Sequence, residues 1–129
     1  LKPDEVLVTA DTVVCIHDKI LGKPVDRTDA IRMLQELSGN RHLVITGVSV
    51  TTRTEQHSFS ALTNVFFKTL SIEEIEFYVD TYKPFDKAGA YGIQEWIGYI
   101  GIERIEGSFY NVMGLPVQKL YETLRKLQF

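Results

Sequence analysis

Apolar and polar positions along the chain predict strands and helices in alternation. Val6 to Ile16 is an apolar, β-branched run, the composition of a buried strand. Asp18-Lys19 reads as a turn, after which Ile20-Leu21 leads into Gly22-Lys23-Pro24. Pro24 biases Lys23 towards extended backbone and ends any strand ladder there. A helix is expected from about Arg27 to Leu37, with Asp26 as N-cap and Ala30, Ile31, Leu34 and Leu37 on one face. Gly39 suits the left-handed position past its end. His42 to Thr52 and Gln56 to Lys68 read as strands joined in a hairpin through the polar Arg53-Thr54-Glu55. Ser71 with Glu74 forms a capping box for a helix that presents Ile75, Tyr78 and Val79 and stops before Pro84. Trp96 to Ile105 is expected as a strand bent at Gly98 and Gly101. Pro116 then opens a closing helix whose Leu120, Leu124 and Leu127 face the core. This order predicts an α/β domain, with α+β as the alternative, built on a mixed twisted sheet flanked by helices. No repeat or linker divides residues 1–129, which read as one domain.

Composition narrows the function more than the fold. The 14 basic and 17 acidic residues give a net charge of −3, which argues against a broad nucleic-acid surface. A small anionic ligand is admissible where lysines gather locally or a metal supplies the positive charge. Cys15 is the single cysteine, so no internal disulfide forms and a reducing, cytoplasmic setting is expected. No apolar run approaches the roughly 18 residues of a bilayer span, so no membrane partner is expected.

Within the first strand, Asp11-Thr12 interrupts the apolar run. An ionised carboxylate among apolar neighbours is costly unless a cation or several donors satisfy it. Asp11 therefore either bonds backbone N–H groups at a bulge or serves as a metal ligand or general base. Lys23 is either a surface lysine or an ammonium held on a stiff loop for a phosphate. Asp86-Lys87, beside the glycine-rich Ala88-Gly89-Ala90-Tyr91-Gly92, is either a local ion pair or part of a metal–phosphate site. Gln94 offers donor and acceptor together, which suits reading a base edge, and equally suits a structural role. His17, His42 and His57 have no metal-ligand spacing and read as structural, and Glu73, Glu74 and Glu76 read as a solvated helix face.

In combination these residues resemble the Maf family of nucleoside triphosphate pyrophosphatases. The matching stretches are Ala10-Asp11-Thr12-Val13-Val14, Leu21-Gly22-Lys23-Pro24, Leu37-Ser38-Gly39 with His42, and Thr46-Gly47-Val48. They continue through Tyr78-Val79, the specific block Asp86 to Gln94, and Gly107-Ser108 with Asn111-Val112 and Gly114-Leu115-Pro116. The resemblance implies a Maf/inosine-triphosphatase-like fold. It also implies hydrolysis of a nucleoside triphosphate between the α and β phosphates, a divalent metal (Mg or Mn) and a homodimer. It makes Asp11 the catalytic acceptor and metal residue, and places Lys23, Asp86 and Lys87 in substrate binding. Thr12 and Gln94 fall at positions of base choice. The Gly-Ile-Gln ending is similar to the branch acting on dTTP and UTP, which implies related uridine and cytidine nucleotides, including modified ones, as further substrates. Two alternatives stand beside this: a pyrophosphatase for non-standard purine triphosphates, and a non-catalytic regulator of septum formation and cell division. The family's Ser-x-Ser-Pro-Arg-Arg loop, with a Glu and a Lys after it, does not occur here, so the sequence reads as starting downstream of that phosphate loop.

Overall fold

Five strands, β1 (Leu7–Ile16), β2 (Lys19–Leu21), β3 (Arg41–Thr51), β4 (Gln56–Phe67) and β5 (Ile102–Glu106), form one sheet in the order β2-β1-β3-β4-β5. The computed structural model describes residues 1–127, so residues 128–129 of the expected domain lie outside the described residues. Helices α1 (Arg27–Leu37), α2 (Ile72–Tyr82), α3 (Trp96–Gly101), α4 (Phe109–Met113) and α5 (Val117–Lys126) flank it, with a 3-10 turn at Ala88–Ala90. The α/β class is as expected. The sheet is not mixed, however: every pairing among the described residues is antiparallel. The cause is the short return strand β2. His17 and Asp18, both at positive φ (50° and 61°), form a two-residue turn whose twist suits a hairpin. With the chain already reversed, the crossover through α1 brings β3 back antiparallel to β1.

Capping residues set the two long helices. The Asp26 carboxylate accepts from Asp29 N at 2.8 Å and opens α1 at Arg27. Gly39, at φ +68°, follows its end. Ser71 and Glu74 make the reciprocal capping box of α2, and Lys83 ends that helix in the left-handed region before Pro84. The buried faces meet in one core: Leu34 and Leu37 of α1, Ile75 and Val79 of α2, and Val14 and Val44 of the sheet are all buried. Met33 joins that face more fully than Ile31, which is only partly buried.

The segment Trp96 to Ile105 corrects the sequence expectation. Its first six residues are α3, and strand pairing begins only at Ile102, opposite Phe67 after a register shift. The glycines read as strand bends are close-contact points of a short helix. A Cβ at Gly98 would lie 1.9 Å from the Ile93 carbonyl oxygen, and one at Gly101 would lie 3.1 Å from the Phe67 ring. Ile97 and Gly101 are buried, and their spacing of four places them on one face of either a helix or a strand, so it could not decide between the two. The closing helix also differs. Leu120, Leu124 and Leu127 are half-buried, and no residue of α5 is buried. Lys119 there donates to the Ser60 carbonyl at 3.1 Å.

His42 is structural, as expected, and it ties β3 to the glycine-rich turn. Its Nε2 lies 2.6 Å from the Tyr91 hydroxyl, and its ring stacks on Phe67. Burial pushes the imidazole down to about 4, so the ring is neutral in the fold. An unfolded histidine takes a proton near pH 6.5, whereas this one resists until about pH 4. Stability is therefore full above pH 6.5 and falls by roughly 3 kcal/mol as the pH drops towards 4. Urea midpoints at pH 7.5 and 4.5 check this. The drop should be smaller in His42→Gln, and an equal drop in both proteins would assign the pH dependence to other groups.

Candidate functional site

Beside β1 a cavity of about 400 Å³ opens, within the range of small-molecule sites. Asp11, Thr12, Lys23, Asp86, Lys87 and Gln94 all line it. The structure thus brings together every candidate site residue, from four separate segments of the chain.

Strand β1 supplies the first two. Successive strand side chains point to opposite faces, so Asp11 and Thr12 meet different surroundings. Thr12 is half-buried, its hydroxyl 2.9 Å from that of Thr46 on the neighbouring strand. Asp11 is exposed and pairs in register with Gly47, which offers no side chain to it. β1 runs through Asp11 in unbroken register with β3, and the carboxylate makes no hydrogen bond or ion pair with any described residue. The bulge that would have satisfied Asp11 with backbone N–H groups is therefore not what the fold contains.

Two loops bring the cations. Pro24 is buried and Lys23, just before it, is exposed at the cleft. The Gly22 carbonyl accepts from Gly89 N at 3.1 Å, which joins the Lys23 loop to the glycine-rich turn. Gly89 is needed there: its φ is +72°, and a Cβ would sit 3.0 Å from Val14 Cγ2. Lys87 Nζ lies 3.3 and 3.4 Å from the two Asp86 oxygens. This bond, with the nearby charges of Lys87 and then Lys23, holds the Asp86 carboxyl below its ordinary value. At 75% side-chain exposure of Asp86 the pair contributes little to stability. Lys23 forms no ion pair within the described residues.

Gln94 closes the cleft against α4. Its Nε2 donates to Met113 Sδ at 3.5 Å, a weak bond to a poor acceptor, so the amide is available to a better partner. Three residues of this wall escaped the sequence reading. Glu95 and Met113 line the cavity, and Tyr78 organises it from behind. The Tyr78 hydroxyl accepts from Gly92 N at 3.0 Å and donates to Glu95 Oε1 at 2.7 Å. Burial raises the Tyr78 hydroxyl pKa and keeps the proton in place. Tyr78 was legible as a core position on α2 and as part of a matching stretch, but not as a residue of the cleft wall. Glu95, next to Gln94 in sequence, was the available signal.

An α/β domain with a polar cleft, two lysines and three carboxylates at its walls is of the small-ligand-binding class, and a polyanion held there would need a further cation beside the lysines. The chain belongs to the family described as Maf-like protein, whose model matches residues 1–127. It is 59% identical over 127 residues to a dTTP/UTP pyrophosphatase of Bacteroides thetaiotaomicron, covering 98% of this chain and 66% of the relative. It is 60% identical over 125 residues to the protein of that name from Bacteroides fragilis, covering 97% and 65%. To that of Christiangramia forsetii it is 50% identical over 127 residues, covering 98% and 65%. The chain thus spans about two thirds of the length of these curated relatives. Among the described residues no helix is long and apolar enough to cross a membrane.

Proposed function

We propose that the protein hydrolyses dTTP and UTP to the monophosphate and pyrophosphate, in the cytoplasm and as a homodimer. The observation that carries this reading is the convergence of Asp11, Lys23, Lys87 and Gln94 on one cleft. The names of relatives at 50–60% identity support the choice of nucleotide. In the proposed reaction a water oxygen bonds to the α-phosphorus as the bridging α–β oxygen–phosphorus bond breaks, and pyrophosphate departs. Asp11, exposed and bonded to none of the described residues, accepts the proton of that water. Lys23 and Lys87 offset charge on the phosphates in a chain whose net charge is −3. Thr12 and Gln94 address the base.

Among the described residues no three His, Cys, Asp or Glu side chains converge as a metal cage. Single carboxylates suit magnesium or manganese, which take the rest of their oxygen ligands from phosphates and water. In the alternative role Asp11 would hold such an ion instead of taking the proton, and when bound the ion would supply further positive charge at the phosphates.

A panel of nucleoside triphosphates tests the reading on the protein at its natural length. The expected result is pyrophosphate and monophosphate in equal amounts from dTTP and UTP, dependent on Mg²⁺ or Mn²⁺. Faster cleavage of inosine or xanthosine triphosphate would reassign the base. Binding without any pyrophosphate release would make the protein a nucleotide-responsive regulator.

A further inference from the structure

Two charged side chains of the cleft wall meet over a glycine that leaves them room. A Cβ built on Gly92 would stand 2.6 Å from Glu95 Oε1 and 2.8 Å from Lys87 Cε. The glutamate oxygen and the end of the lysine stem therefore share one small gap, which a methyl group would fill. Gly92 is not in the left-handed region, so its missing side chain serves space and not conformation. Glu95 is firmly held at this gap. It is half-buried, and its Oε1 accepts from the Tyr78 hydroxyl at 2.7 Å. That hydroxyl sits on a fully buried ring and itself accepts from Gly92 N at 3.0 Å.

Lys87 has no comparable anchor. Its ammonium lies 3.3 and 3.4 Å from the two Asp86 oxygens, long for a charge-assisted bond, and the Asp86 side chain is 75% exposed. An ion pair so open to water holds a flexible lysine stem only weakly. Glu95 Oε2 is bonded to none of the described residues. Because Lys87 Cε already stands near that carboxylate, rotation about the last bonds of the side chain turns the ammonium from Asp86 to Glu95. An ammonium has three donors, so one can serve Glu95 while the others meet phosphate oxygens.

Resting on the function proposed above, we infer that Glu95, held by Tyr78, is a positioning residue that seats the Lys87 ammonium over Gly92 for the phosphates of the substrate. Asp86 and Glu95 compete for one ammonium, and Glu95, already immobilised, gives it the more reproducible place. The pairing also offsets the charge of a carboxylate that would otherwise repel a polyanion in the same cleft.

A double-mutant cycle on the full-length protein tests this. It reads kcat/KM for UTP and calorimetric affinities for the non-cleavable α,β-methylene-UTP and for inorganic triphosphate. Glu95→Gln keeps the shape and removes the charge. It should lower kcat/KM about 10-fold and weaken both ligands by a similar factor. With Lys87→Met already in place, the same change should alter each value by less than about 2-fold. No loss on Glu95→Gln, or equal losses in the two backgrounds, would overturn the inference. So would a loss for the nucleotide with none for inorganic triphosphate, which would put Glu95 at the base or the sugar. Should Glu95→Gln not fold, Glu95→Asp shortens the reach, keeps the charge and carries the same cycle. The expected coupling in the affinities without pyrophosphate release would support this seat for Lys87 and sink the hydrolytic reading. Binding of neither ligand would end both.

Discussion

Asp11→Asn is expected to cut pyrophosphate release by at least about 100-fold, the scale of a lost general base. Its thermal midpoint should stay within about 2 °C of the wild type. Both parts follow from one observation: Asp11 is exposed at the cleft and bonded to none of the described residues. An asparagine has nearly the same shape, and no native partner is orphaned by it. Loss of turnover with intact stability therefore isolates the carboxylate's chemistry. Turnover within a few-fold of wild type would move the proton acceptor elsewhere, with Glu95 as the next carboxylate on the same cavity.

The largest effect on stability is expected at Asn111. This side chain is fully buried, and its Nδ2 donates to the Ala61 carbonyl and Thr63 Oγ1 at 3.0 Å and towards the Val44 carbonyl at 3.3 Å. Two backbone carbonyls in that list dictate which way the amide faces, since a flipped oxygen would meet oxygens. Asn111→Asp sets a carboxylate against the same acceptors with nothing to donate. A cost of about 3–5 kcal/mol is expected, a large share of a typical domain's 5–15 kcal/mol. Asn111→Ala removes the bonds without adding charge and should cost less. The gap between the two variants should narrow at low pH, where a protonated carboxyl regains a donor. Urea titrations at pH 7.5 and 4.5 measure it. Equal midpoints for Asp and Ala at pH 7.5 would show that water reaches the site.

The contrast between these two residues also marks what the sequence can show. Local signals carried the helices: Asp26 and Ser71 cap as their positions suggest, because a cap bonds within three residues of itself. Asp11 stood out because a charge in an apolar strand conflicts with its neighbours. Lys23, Lys87 and Gln94 entered through motif positions, and the fold brings them to the same cavity. Thr46 and Asn111 were unreadable as partners, since they bond across 65 residues and each is ordinary in its own segment. The misread stretch at Trp96 failed for a related reason. Gly98 is chosen by the Ile93 backbone it presses against, a contact that composition does not encode.

The bond from Gly89 N to the Gly22 carbonyl has one more consequence. It couples the two basic loops through backbone, which neither loop's side chains can loosen. The spacing of the two loop backbones is therefore set by the scaffold, while each ammonium still moves on its own flexible stem. Any adjustment to the spacing of charges on a bound anion would fall to lysine rotamers and not to the loops.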